Sequence, residues 1–225
     1  MGLFAVTSCD QSVSEFPDTE GEVQFLNLSP DAPAIDYHFD GQPFAENLSY
    51  NELTGFQSIP TGIHMNEFML NGDTLVDGPS RFFEHGRRYT IIALDSLESM
   101  KMRTIENYLT NEPDTTSRIR VLHASTTTSD VDVIVVEPNA SFDETPSAAF
   151  IEVSFNNGSG TESISYSNLT VGDYQMRVTS AGSPDEILIE QDLSLDRHNY
   201  TIILLNGENE GDGPRLKILT DNEGV

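Results

Sequence analysis

Val23 to Asp40 reads VQFLNLSPDAPAIDYHFD, and Ile119 to Val136 reads IRVLHASTTTSDVDVIVV, the same layout met a second time. Val23 answers Ile119, Ser29 answers Ser125, and Ile35-Asp36 answers Val131-Asp132, each at the interval that separates positions 23 and 119. In the first copy Pro30-Asp31-Ala32-Pro33 is turn chemistry, because each proline fixes its own φ and Pro33 pushes Ala32 towards an extended conformation. Alternation follows: Ile35, Tyr37 and Phe39 share one face of a strand, and Asp36 and His38 share the other. Asp40-Gly41 is then a tight hairpin signal.

The correspondence continues downstream with a growing offset. Leu48-Ser49-Tyr50-Asn51 answers Val153-Ser154-Phe155-Asn156, Pro60-Thr61-Gly62 answers Thr170-Val171-Gly172, and Tyr89-Thr90-Ile91-Ile92 answers Tyr200-Thr201-Ile202-Ile203. A growing offset means insertions in copy two, the first within Glu137 to Ser147, and insertions fall in surface loops. Each copy holds seven or so short β-runs separated by Gly, Pro, Asn and Asp, with no long stretch of helical period. The expected fold is therefore all-β: two tandem immunoglobulin-like antiparallel β-sandwich domains. Tyr89 and Tyr200 each open an apolar strand after a turn. That is the pattern of a tyrosine corner, whose hydroxyl bonds back to the preceding backbone. The expected layout is a signal remnant and tether over 1–21, a sandwich over 22–106, a linker over 107–117 and a second sandwich over 118–222.

In copy two the second face of the repeated strand carries Asp132, Ile134 and Val136, so beyond the Asp it is apolar on both faces. Such a strand is covered on both sides, and repeat one or the linker is the simplest cover. Exposed, Ile134 and Val136 would instead form a partner-binding patch.

Composition narrows the function. The net charge is −26, from 11 basic and 37 acidic residues. That excludes a basic footprint for nucleic acid and opposes adsorption to an anionic bilayer. Hydrophobic residues make up 37% of the chain and fall in clear runs, so the acidity belongs to the loops of a folded protein. The single cysteine, Cys9, cannot form an internal disulfide. Leu3 to Ser8 is short, apolar and small, far below the ~20 residues a membrane span takes. It reads as the clipped end of a secretion signal. Val6-Thr7-Ser8-Cys9 resembles the bacterial lipobox, in which the Cys receives lipid. A lipid at Cys9 would be the only membrane contact and would place the protein in the bacterial cell envelope, facing the periplasm or the surface. An incidental thiol in a tail is the alternative.

Asn27-Leu28-Ser29-Pro30-Asp31-Ala32-Pro33-Ala34-Ile35-Asp36 resembles the H-A-S-P-D-A-P-x-V-D hallmark of bacterial envelope domain-of-unknown-function family 4397. Leu122-His123-Ala124-Ser125 and Val131-Asp132-Val133 keep the two ends of that hallmark in copy two. Ile59-Pro60-Thr61-Gly62, Val171-Gly172-Asp173-Tyr174 and Gly86-Arg87-Arg88-Tyr89-Thr90 echo two further elements of the family. Asn27 stands where the family has His, and copy two lacks the P-D-A-P turn. The resemblance implies secretion, sandwich domains and no known catalysis.

Candidate site residues are few. Asp36 and Asp132 occupy matching positions, either as ligand or cation contacts or as carboxylates accepting backbone N–H groups of a turn, the commoner use. His38 and His123 are candidate ligand contacts, but no H-x-H or HExxH pairing exists and a transition metal needs three or four converging ligands. Asn206 to Gly213 is acidic and Gly-rich without the order of an EF-hand loop. No G-x-S-x-G or S-x-x-K motif is present. No cofactor, metal or catalytic residue is expected. The leading reading is a non-enzymatic binding or adhesion module for a protein or carbohydrate ligand. A hydrolase or metal-dependent enzyme would need a cleft between the repeats that joins His38 or His123 to two or more carboxylates. A structural spacer would need neither cleft nor patch.

Overall fold

A computed structural model describes residues 20–107, 115–142, 145–158, 164–207 and 211–221. The first half runs β1 (Glu20–Leu28), β2 (Ile35–Phe39), β3 (Gln42–Leu48), β4 (Gln57–Pro60), β5 (Gly62–Leu70), β6 (Asp73–Phe83), β7 (Arg88–Leu94) and β8 (Lys101–Asn107). The second runs β9 (Thr116–His123), β10 (Val131–Val136), β11 (Ala148–Val153), β12 (Ser167–Thr170), β13 (Gly172–Ser180), β14 (Ser183–Leu195), β15 (Asn199–Leu205) and β16 (Arg215–Thr220). Among the described residues the only helical element is a 3-10 turn over Leu97–Ser99, and no helix is long and apolar enough to cross a membrane.

Each half is a sandwich of two four-stranded sheets, and the two halves share one topology. The first has sheets ordered β4-β1-β7-β8 and β3-β2-β5-β6; the second has β12-β9-β15-β16 and β11-β10-β13-β14. Pairing is antiparallel except at β1–β7 and β9–β15, which run parallel and match register for register. The tandem all-β arrangement is thus as the repeat predicts. At the expected hairpin both Asp40 (φ 50) and Gly41 (φ 72) lie in the left-handed region, as a tight two-residue turn requires. Both tyrosine corners form: Tyr89 Oη accepts the Glu84 N–H at 3.1 Å, and Tyr200 Oη accepts that of Asp196 at 2.9 Å. Of the segment read as a linker, 108–114 lie outside the described residues, Asn107 closes β8, and Thr116 and Ser117 open β9.

Alternation separates two kinds of burial. Val23, Phe25, Ile91 and Ala93 fill the first sandwich, and Ile119, Val121, Ile202 and Leu204 fill the second. The opposite faces of the same strands carry Leu26, Leu28, Ile92 and Leu94 in one half and Leu122, Ile203 and Leu205 in the other, joined in a third apolar cluster with Ile105 and Leu219. The sheets containing β1 and β9 therefore pack on each other, and the molecule is a stack of four sheets with three apolar layers. This corrects the expectation for β10. Val136 is buried and Ile134 half-buried, but the strands at the seam are β1, β7, β8, β9, β15 and β16. Beside Ile134 is its cross-strand partner Arg177, whose guanidinium stacks at 3.9 Å on Phe142 of the copy-two insertion.

One end of the seam is polar. Arg120, 2% exposed, donates from Nε to Thr201 Oγ1 (2.9 Å), from Nη1 to Glu106 O (2.9 Å) and from Nη2 to Asn107 Oδ1 (2.8 Å). Arg88 donates to the backbone carbonyl of Asp221 at 3.0 Å and pairs with Glu22 at 2.6 Å. The seam has an approximate two-fold character. Lys101, opening β8, lies 5.3 Å over the ring of Phe155 in the other half, and Arg215, near the start of β16, hydrogen-bonds Tyr50 in the first. Phe155 and Tyr50 are equivalent positions of the repeat, so each half offers an aromatic residue to a cation of the other, Phe155 through its ring and Tyr50 through its hydroxyl.

Candidate functional site

Asp36 and Asp132 perform one structural task in both halves. The β2–β3 and β10–β11 registers each shift opposite the Asp, leaving extra residues on β3 and β11. Within those bulges Asn47 (φ 56) and Glu152 (φ 52) are left-handed, and a bulge leaves its amide outside the ladder. Asp36 Oδ1 accepts the Asn47 N–H at 2.8 Å, and Asp132 Oδ1 accepts that of Glu152 at 2.8 Å. Asp132 Oδ2 also takes the N–H of Gly182, in the β13–β14 turn, at 2.9 Å. The donors are backbone amides, coming from the neighbouring strand and a different turn. Because Asp132 satisfies two amides and Asp36 one, Asp132→Ala should cost about 1–2 kcal/mol and Asp36→Ala about half that. Urea denaturation of both variants checks the ranking, and equal or negligible losses would count against this role.

The two histidines lie apart in character. His38 is half-buried on β2, paired across to Glu67 on β5. His123 is fully buried on β9, and its Nε2 lies 3.0 Å from the carbonyl oxygen of Ser129. A carbonyl only accepts, so Nε2 carries the proton. Burial holds the imidazole pKa below its ordinary value, so the ring is neutral and fixes the turn it reaches. That turn, Ser125 to Ser129, is gathered from the other side by Asn206, whose Oδ1 accepts from Ser125 Oγ (2.8 Å) and the Thr126 N–H (2.7 Å). In copy one the matching job falls to Asp31 of the Pro30-Asp31-Ala32-Pro33 turn, whose Oδ1 accepts the Leu97 N–H at 2.8 Å and so ties the first turn to the β7–β8 connection.

The ordered turn forms one wall of a cleft of about 670 Å³ where loops of the two halves meet. Pro30 and Tyr50 come from the first half; Thr127, Thr128, Ser129, Ser180 and Asn206 come from the second, with Glu186 and Asp212 also on the lining. Tyr50 is half-buried, and burial raises the pKa of its hydroxyl against the opposing influence of Arg215. The lining therefore offers neutral hydroxyl and amide groups, an aromatic ring, two carboxylates and the apolar side chains of Leu188 and Pro214. Neither His38 nor His123 is among its side chains. Among the described residues no group of three or more His, Cys, Asp and Glu side chains is placed to hold a metal. Cys9 lies outside the described residues, as do 208–210 of the acidic loop. Tyr50 and Asn206 were legible as parts of a repeated segment and of a turn, but nothing local shows that they meet.

Fold and cleft together define an all-β protein of two stacked sandwiches with a recess of mixed polar and apolar lining at the junction of its repeats. The chain belongs to the family described as Domain of unknown function (DUF4397), whose model matches residues 21–134, the first sandwich and onward into β10. No curated protein matches the chain significantly. Among solved structures it is similar to the Bacillus anthracis TIE protein (8% identity, TM-score 0.26, covering 90% of this chain and 44% of that one). It is also similar to a family 41 carbohydrate-binding module of streptococcal virulence factors that recognises alpha-glucan (8% identity, TM-score 0.27, 81% and 92% covered). A third likeness is to the fimbrial anchor protein Mfa2 of Porphyromonas gingivalis (9% identity, TM-score 0.22, 89% and 97% covered). The chain spans less than half the length of the first of these, and TM-scores this low carry no argument from those proteins to this one.

Proposed function

We propose that this protein is a non-enzymatic binding or adhesion module of the bacterial cell envelope, tethered by lipid at Cys9. Its cleft takes a neutral, polyhydroxylated ligand such as a glycan chain. The second sandwich is read as a second copy of the family's domain. The observation that carries the reading is the composition of the cleft, where hydroxyls and an amide of the second half converge opposite Tyr50 of the first. A few oriented polar groups beside an aromatic face suit a sugar, which has hydroxyls to bond and C–H faces to stack. Glu186 and Asp212, in a chain of net charge −26, turn anionic ligands away from this recess.

Titration of the chain with neutral oligosaccharides by calorimetry, after an array screen, tests this. Tyr50→Ala and Thr128→Val should each weaken binding at least tenfold, about 1.4 kcal/mol, without changing the ligand's structure. Binding undiminished in both variants, or release of cleaved sugar, would overturn it.

A further inference from the structure

A second cavity, of about 420 Å³, lies at the open edge of the first sandwich, between β6 and β8. Its wall carries Ser80 and Arg81 from β6, Arg103 and Thr104 from β8, and Asn156 from the second half. We propose that this notch is an oxyanion site, taking a carboxylate, sulfate or phosphate group of a small ligand with Arg81 as its anchoring cation.

Charge makes the place unusual. Acidic residues outnumber basic ones 37 to 11 in this chain, yet here two guanidiniums line one small cavity. Arg81 lies 5.5 Å over the ring of Tyr89, and its Nε is buried without a hydrogen-bond acceptor among the described residues. A buried donor without an acceptor is costly, and a guanidinium presents its donors in the fork that suits an oxyanion. Burial lowers the pKa of Arg103, and the fields of Arg120 and Arg81 lower it further, so a bound anion would relieve repulsion among cations.

Backbone geometry builds the notch. Opposite β5, His64 pairs with Arg81 and Asn66 with Gly78, so Pro79 and Ser80 form a bulge that re-aims Arg81. Gly78 lies so close to Met102 of β8 that a Cβ there would collide with its sulfur, which brings the two edge strands together beneath the cavity. The hydroxyls of Ser80 and Thr104 can donate to the same anion. None of the residues named here lines the cleft between the halves, so the two sites stand or fall separately.

The test titrates the full chain with sodium sulfate, phosphate and acetate at ionic strength matched with chloride, following 15N-detected arginine Nε resonances and calorimetry. Saturable one-to-one binding of at least one oxyanion is expected, shifting the Arg81 Nε signal, with affinity lowered at least tenfold in Arg81→Gln and several-fold in Thr104→Val. Uronate and sulfated monosaccharides then distinguish a sugar-borne group from the free ion. Shifts no larger than those with chloride, or binding that Arg81→Gln and Thr104→Val leave unchanged, would overturn the proposal.

Discussion

Ile203→Asp should abolish the folded state of both halves together. Ile203 is fully buried in the seam between the sandwiches, among Leu26, Ile92, Leu122 and Leu219. The substitution removes a branched apolar side chain, a loss of about 2–5 kcal/mol by the measure of large-to-small core changes. It also leaves a carboxylate with no cation in an apolar layer, which costs several kcal/mol more. The sum reaches the whole stability of an ordinary domain, ~5–15 kcal/mol. Ile203→Ala keeps the test graded, since it incurs only the first loss. Hydrogen exchange on that variant should show faster opening at Leu26 and Ile92 as well as around Ile203, because one cluster is shared. Exchange that quickens in β15 and leaves β1 and β7 untouched would mean that the halves are independent units.

That shared layer also shows what the sequence held. The repeat and its alternation place β1, β2 and β7 with their counterparts β9, β10 and β15, though seven or so runs are expected per copy where eight strands form, and the Asp40-Gly41 turn and both tyrosine corners appear where residue types put them. The seam was legible in principle, since Tyr89-Thr90-Ile91-Ile92-Ala93-Leu94 and Tyr200-Thr201-Ile202-Ile203-Leu204-Leu205 are unbroken runs, and both strands are buried throughout. The rule that a strand apolar on both faces is covered on both faces applies to these runs before it applies to β10. There, Ile134 stays half-buried beside Arg177, outside the seam between the repeats. The bulges that Asp36 and Asp132 satisfy were not legible, because a bulge is a property of a pair of strands and each strand alone shows only its own period. The cleft is harder still. Tyr50 and Asn206 come from opposite halves, and their meeting depends on how the two sandwiches stack. The polar end of the seam has the same character: one Arg and one Asp far apart in the chain, the Asp one of 37 acidic residues.

At that polar end, Arg120→Leu should destabilise the protein by about 3–5 kcal/mol at pH 8, the cost of stripping one partner from a buried charged network, and by much less at pH 5. Removing the guanidinium leaves Asn107 Oδ1, Thr201 Oγ1 and the Glu106 carbonyl without the bonds it donates. It also removes a cation that favours the ionised form of Asp221. Asp221 is 3% exposed, and burial pushes its pKa from 3.8 up to about 6, against the opposing pull of Arg120, Asn199, Tyr166 and Arg88. Below about pH 4 the carboxyl is protonated in folded and unfolded chains alike, and its titration costs nothing. Between about pH 4 and 6 the unfolded chain releases the proton while the folded one keeps it, so stability falls as pH rises. Above about 6 the loss is complete, at about 3 kcal/mol for a shift of that size. Without Arg120 the folded pKa moves higher still and the loss deepens, which is why the variant suffers most at alkaline pH. Asp221→Asn removes the titrating group while keeping the carbonyl that Arg88 bonds, so its stability should lack this fall between pH 4 and 6. Urea midpoints for the three proteins at pH 5 and pH 8 decide the matter. Parallel pH dependence in the parent and Asp221→Asn would show that Asp221 is ionised throughout, with the two arginines outweighing its burial.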